Sequence, residues 1–199
     1  MKRRMFFALL VLCVGAGTAN ELAAQPMLLQ IRKEDSHIGF SITKWGVFKE
    51  EGRFRDFDGT IEFNPLNVEA TKFQVVINCS SIDSRDEGRD RALRSEDFFH
   101  VTRYPTMKFT SLNVKAKNRD TLLVEGDLTI RDVTKRITMP VRIAGVSRIG
   151  GKLGTLVGFE SEFVVNREDF HVGEGWPIID RDAHIHLLIG AGSQPTASR

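Results

Sequence analysis

Apolar and polar residues alternate with a period of two along most of this chain. Ile38, Phe40 and Ile42 fall on one side of a strand, and His37, Gly39, Ser41 and Thr43 on the other. The same division separates Phe73, Val75 and Ile77 from Lys72, Gln74 and Asn78, and Leu122, Val124, Leu128 and Ile130 from Glu125, Asp127, Thr129 and Arg131. Ile137, Met139, Val141 and Ile143 oppose Arg136, Thr138 and Arg142; Phe159, Phe163 and Val165 oppose Glu160 and Glu162; Ile185, Leu187 and Ile189 oppose His184 and His186. One stretch breaks the pattern. From Arg85 to Phe109 a charged first half, the pair Phe98-Phe99 and the step Tyr104-Pro105 predict a short helix folded over one end of a sheet.

Turn signals fall between the apolar runs. Asp58-Gly59 lies between Phe54 and Ile61, Asn64-Pro65 ends the next run, and Asn118 to Asp120 and Gly150-Gly151 divide two later pairs. Parity slips twice, between Lys108 and Val114 and between Phe54 and Phe57, where bulges or a strongly bent strand are expected. About eight strands result. An eight-stranded antiparallel barrel with one short helix covering an end is the expected all-β fold, as in lipocalins, although a two-sheet sandwich shares the same period. No repeat or linker divides the chain, and Ser193 to Arg199 has the composition of a frayed tail.

The N-terminus carries a different signal. Lys2, Arg3 and Arg4 precede an apolar run from Met5 to Val14, followed by Gly15, Ala16, Gly17 and Ala19, the order of a secretory signal peptide. The run is shorter than the roughly 20 residues of a membrane span. Cleavage is expected after Ala19, with Ala24 as the rival; Leu12 before Cys13 argues against a lipoprotein site. Residues 20–199 then form a single domain, expected in the periplasm or secreted.

Export changes the charge and the cysteine count. Of 28 Lys and Arg, three leave with the leader, and 25 face 26 acidic residues, about −1. That balance gives no basic face for nucleic acid. Cys79 becomes the sole cysteine, so no intramolecular disulfide can form and the core must supply stability.

Several residues could carry chemistry. His184 and His186 share a strand face and could meet a zinc ion with Asp182 or His37, but the full ligand set is not visible and a solvated outer face is the plainer reading. Glu160 and Glu162 also share one face, whereas a glycosidase sets its carboxylates across a cleft. Cys79 reads as a small core residue, because no activating histidine is legible beside it. The arginines between Arg85 and Arg94 could meet an anionic head group, yet Asp86, Glu87 and Asp90 interleave with them as on a solvated helix face. No cofactor and no metal is expected.

A resemblance emerges from stretches spread between Asp35 and Ala191. Asp35 to Phe40 (DSHIGF), Gly52 to Phe54 with Phe57 to Ile61 (GRF and FDGTI), Ser81 to Asp83 (SID), Leu93 to Phe99 (LRSEDFF) with Tyr104-Pro105, Gly126 to Arg131 (GDLTIR) with Val133-Thr134, and Asn166 to Phe170 (NREDF) follow one another in order. In these the chain resembles the YceI-like family of exported, lipocalin-like proteins that bind polyisoprenoids. It departs from the family pattern at Lys44-Trp45 and at His100. The resemblance implies an extended eight-strand barrel with an apolar channel for an isoprenoid tail and no catalytic constellation.

The expected function is binding of a long-chain isoprenoid or similar amphiphile for carriage, storage or sequestration, without stable membrane insertion; the oligomeric state stays open, a homodimer included. Parity assigns Phe40, Ile42, Phe63, Phe73, Val75, Ile77, Val124, Leu128, Val141, Phe159 and Phe163 to the channel, with Phe98 and Phe99 at its helical cover. A hydrolase or isomerase in the same barrel is the alternative, and would need polar side chains converging inside. A filled barrel acting as an interaction module is the third. For the leader, N-terminal sequencing of exported protein should give Asn20, or Gln25 at the rival site; an intact Met1 on active exported protein would remove the signal reading.

Overall fold

The structure, a computed structural model, describes residues 26–148 and 154–193. The leader, the Gly150-Gly151 turn and residues 194–199 lie outside the described residues. Eleven strands pair antiparallel in one sheet: β1 (Met27–Ile31), β2 (His37–Lys44), β3 (Phe48–Phe54), β4 (Phe57–Phe63), β5 (Lys72–Asn78), β6 (Ile82–Asp83), β7 (Thr106–Ala116), β8 (Thr121–Ile130), β9 (Val133–Arg148), β10 (Thr155–Asn166) and β11 (Asp182–Ser193). The helix α1 spans Glu87–Arg94.

Eleven segments make eight staves because three staves are broken in two. Strands β1 and β2 lie end to end along β11, with Ile31 opposite Ala191 and His37 opposite Leu188. Next to them β4 pairs with β1 and β3 with β2, and beyond these β5 pairs with β4 and β6 with β3. Pairing of β1 with both β4 and β11 closes the ring at one end, so the expected eight-stranded barrel is present.

At the other end β6 pairs only with β3, and residues 84–105 occupy the gap before β7. Helix α1 is capped by Asp86, whose carboxylate accepts the Arg89 N–H at 2.7 Å, with Glu87 and Asp90 in its first turn and Arg91 and Arg94 in its last. Eight residues are too few to hold a helix by themselves. Tertiary bonds hold it: Asp90 accepts from Ser84 N and Oγ at 2.8 and 2.6 Å, and Arg94 donates to the carbonyls of Ser80 and Ile82 at 2.9 and 2.6 Å.

Three sequence expectations need correction. Asp58-Gly59 is not a turn but lies inside β4; the chain turns at Arg55-Asp56, which also explains why Phe54 is out of step with Phe57 without any bulge. A Cβ on Gly59 would stand 2.2 Å from the Gln74 carbonyl oxygen and 2.9 Å from Ile31 Cδ1, so close packing requires this glycine. Ser193 belongs to β11, pairs with Leu29 and accepts the Thr155 N–H at 2.9 Å, so it is not part of a frayed tail. The second parity fault is a bulge, with the β7–β8 register shifting between Ser111 and Asn113 and the Ser111 hydroxyl accepting the Phe73 N–H at 2.8 Å.

The base of the helical cover is pinned by Asp83. Its carboxylate accepts from Arg55 at 2.8 Å, from the Arg85 N–H at 3.1 Å and from Arg53 at 3.1 Å. These partners, Arg55 foremost, hold its pKa down to about 2. A depressed carboxylate stabilises the fold fully above its unfolded pKa, near 4, and loses that contribution as pH falls through about 2.

Two outcomes follow from this packing. Gly59→Ala should cost about 1–3 kcal/mol in chemical denaturation, as overpacked interiors do; a change under about 0.5 kcal/mol would mean the close approach is not felt. Asp83→Asn should melt below the unsubstituted protein at neutral pH, and the difference should shrink as pH is lowered from about 5 towards 2. A pH-independent gap would show that the arginines are not acting on a charge.

Candidate functional site

A cavity of about 630 Å³ fills the upper half of the barrel, next to α1. Its size falls in the roughly 300–1,000 Å³ range of small-molecule sites. The wall is apolar because the period-two pattern turns the same parity inward on each stave: Ile38, Phe40 and Ile42 from β2, Val75 and Ile77 from β5, Leu128 and Ile130 from β8, Ile185, Leu187 and Ile189 from β11. Phe163 adds a ring from β10, and Phe98 and Phe99 come from the segment after α1, where Phe99 meets Phe54 edge-on at 5.6 Å.

Eight of the thirteen residues assigned to the channel therefore line this cavity: Phe40, Ile42, Val75, Ile77, Phe98, Phe99, Leu128 and Phe163. The other five do not. Phe63, Phe73, Val124, Val141 and Phe159 are buried in the core cluster at the closed end. There Phe159 takes Phe63 and Phe73 edge-on, at 5.7 and 5.5 Å between ring centres.

The rim is built from three segments. The hairpin of β2 and β3 contributes Lys44, Glu50 and Glu51; the start of α1 contributes Ser84, Asp86 and Arg89; the loop before β11 contributes Trp176, Ile178 and Ile179. Much of the polar chemistry here joins one segment to another. Arg89 pairs with Glu50 and donates to the Ser84 carbonyl at 2.8 Å, linking helix to hairpin. Buried Arg167 donates to the carbonyls of Val172 and Ile179 at 2.8 Å and of Asp180 at 2.9 Å, and also to that of Gly173. One side chain thus folds the whole loop. Arg131, at φ 54° in the β8–β9 turn, donates to the carbonyls of Phe98 (3.0 Å) and His171, tying the turn to both other segments.

The remaining candidates lie away from the cavity. Cys79 is buried, and that burial pushes its thiol up to about 11, which leaves almost no thiolate at neutral pH. Glu160 pairs with Arg142 and Glu162 meets His186 at 3.5 Å, all on the outer face. His184 is exposed, and among the described residues no group of three or more His, Cys, Asp and Glu could hold a metal ion.

Sequence reasoning missed two kinds of site residue. Trp176, Ile178 and Ile179 lie in a loop with no period to mark them. Arg167 and Arg131 belong to the stretches NREDF and GDLTIR, but nothing in their spacing announces that they would bind carbonyls. Ile185 and Leu187 had the right parity and could have joined the list on that signal alone.

Comparison with known proteins places this geometry. A family profile described as the YceI-like domain matches residues 29–191. The protein called YceI in Shigella flexneri is 38% identical over 170 residues, covering 83% of each chain, and that of Salmonella agona is 36% identical over the same length and coverage. Among solved structures, BcnA of Burkholderia cenocepacia superposes with a TM-score of 0.73 at 23% identity, over 80% of this chain and 98% of that one. The Campylobacter jejuni YceI protein gives 0.68 at 27%, over 72% and 84%. A polyisoprenoid binding domain from Saccharophagus degradans, implicated in plant cell wall breakdown, gives 0.64 at 16%, over 85% and 99%. With an eight-stave barrel, one helical cover and a family match over most of its length, this chain belongs to the YceI-like family.

Proposed function

We propose that this protein binds the hydrocarbon tail of an isoprenoid or similar long-chain amphiphile in the upper cavity, and that it carries, stores or sequesters that lipid in the periplasm after loss of its leader. The observation that carries the reading is the cavity itself: about 630 Å³ of space walled mainly by aliphatic and aromatic side chains, with Lys44, Glu50, Glu51, Asp86 and Arg89 at the rim and Lys108 and Arg167 also along it. The fold shared with the Saccharophagus domain, described as polyisoprenoid binding, supports the same guest.

The energetics suit a tail better than a reactive centre. Each buried CH₂ is worth about 0.8 kcal/mol, so a chain of about 20 carbons offers on the order of 15 kcal/mol before the cost of ordering it. Polar rim groups such as Glu50 with Arg89, and Ser84 with Asp90, are engaged with one another. That engagement favours a binding protein over a lipid-modifying enzyme, which would need free acid, base or nucleophile aimed inward.

Val75 and Gln74 test this directly. Val75 lines the cavity and Gln74 is exposed on the outer face of the same strand. Val75→Glu should stay folded by circular dichroism, because the open cavity admits water to the carboxylate, and should lose lipid that Gln74→Glu retains when both are purified without detergent and extracted into organic solvent for mass spectrometry. Equal lipid retention by two folded variants would sink the cavity as the tail site.

A further inference from the structure

The tip of the β2–β3 hairpin presents a group of exposed apolar side chains beside the cavity rim. Trp45 is 59% exposed, Val47 73% and Phe48 60%, and Trp45 and Phe48 meet edge-on at 6.1 Å. Trp176, 41% exposed, stands on the neighbouring loop, its ring 5.7 Å from the cavity residue Phe98. Hairpin and loop are joined by the Trp45 N–H to the Ile178 carbonyl at 2.8 Å and the Asp180 N–H to the Thr43 carbonyl at 2.9 Å. These side chains therefore sit on one continuous rim.

The tip is held against local preference. Trp45 has φ 51° and Gly46 φ 70°, a left-handed pair that a turn of this kind fills most easily with Asn, Asp or Gly. A bulky aromatic there is unfavourable to the backbone, and more than half of its surface faces solvent, so the core gains little from it. Two lysines complete the arrangement. Lys44 places its ammonium 4.3 Å from the Trp45 ring centre, and Lys49 lies on the far side of the turn, 3.3 Å from Glu51. Exposed tryptophan and phenylalanine between lysines is the composition of side chains that settle at the boundary between head groups and acyl chains, with cations meeting anionic lipid.

We propose that this hairpin tip docks the barrel on an anionic phospholipid surface, with the cavity rim turned towards the bilayer so that a water-insoluble guest passes between membrane and barrel without crossing bulk water. The purpose of docking rests on the lipid reading above, but docking is measured separately from guest binding. Trp45, Val47 and Phe48 do not line the cavity.

Sedimentation with vesicles tests it. Protein lacking the leader is mixed with phosphatidylethanolamine–phosphatidylglycerol vesicles and with phosphatidylcholine vesicles, and a fluorescent long-chain alcohol is titrated in the absence of vesicles to read the cavity. The unsubstituted protein should prefer the anionic vesicles. Trp45→Asn combined with Phe48→Thr, the first chosen to suit the left-handed turn, should bind them at least about tenfold less while taking up the alcohol unchanged. Lys44→Gln and Lys49→Gln should each weaken binding about fivefold, an effect that salt abolishes. If the unsubstituted protein ignores anionic vesicles, or the aromatic double variant sediments equally well, the proposal is overturned and the tip falls to a protein partner. Failure of every variant to take up the alcohol would instead count against the cavity reading while leaving the vesicle result to stand alone.

Discussion

Backbone pairing around this barrel closes at one end only, and most of the architecture depends on that inequality. At the closed end β1 bonds to both β4 and β11, and the inward side chains meet across a complete ring. Phe63, Phe73 and Phe159 are buried there and meet ring against ring. At the other end β6 stops after two residues and pairs only with β3, and β9 pairs with β10 only between Arg142 and Arg148, so the ring is open there at two seams. The cavity lies at that open end. The segment carrying α1 covers it without filling it.

A missing stave exposes backbone as well as apolar surface, and the protein meets that cost largely with arginine. Arg94 bonds the carbonyls of Ser80 and Ile82 where the fifth and sixth strands break, Arg131 bonds those of Phe98 and His171, and Arg167 bonds the carbonyls of the loop before β11. A guanidinium suits this work because its N–H groups spread in a plane and can satisfy several acceptors at once. Each of these arginines lies in one of the stretches that carry the family resemblance. Those stretches therefore carry both the framework of the rim and part of the cavity wall, since Phe40, Phe98, Phe99 and Leu128 also lie in them.

This division explains what could be read from the sequence. Alternation revealed the all-β class and the inward parity of β2, β5, β8, β10 and β11, because burial on one face of a strand repeats every second residue. Parity says inside or outside but carries no height along the stave. Val75 and Phe73 share a face two residues apart, yet one lines the cavity and the other is buried in the closed end. Asp58-Gly59 misled for a related reason: Asp-Gly is a strong turn signal, whereas the demand for glycine there comes from the Gln74 carbonyl on a neighbouring strand, a contact no local pattern encodes. The loop residues Trp176 and Ile179 had no period to betray them.

Height along the stave also bears on selectivity. The wall is built from aliphatic and aromatic carbon, which attracts any hydrocarbon in proportion to area and distinguishes poorly between chains. What discriminates is where the space ends. On the lipid reading, the lining that ends at Val75, Leu128 and Met139 on β5, β8 and β9 would set how deep a tail reaches, and any excess length would leave through the rim, between α1, the hairpin and the loop held by Arg167. Enlarging side chains at that inner end would then shorten the longest guest, whereas altering the rim charges would act on the head group. On that reading the two halves of a chain-like guest would be met by separate parts of the barrel, the tail by its inner wall and the head by its opening.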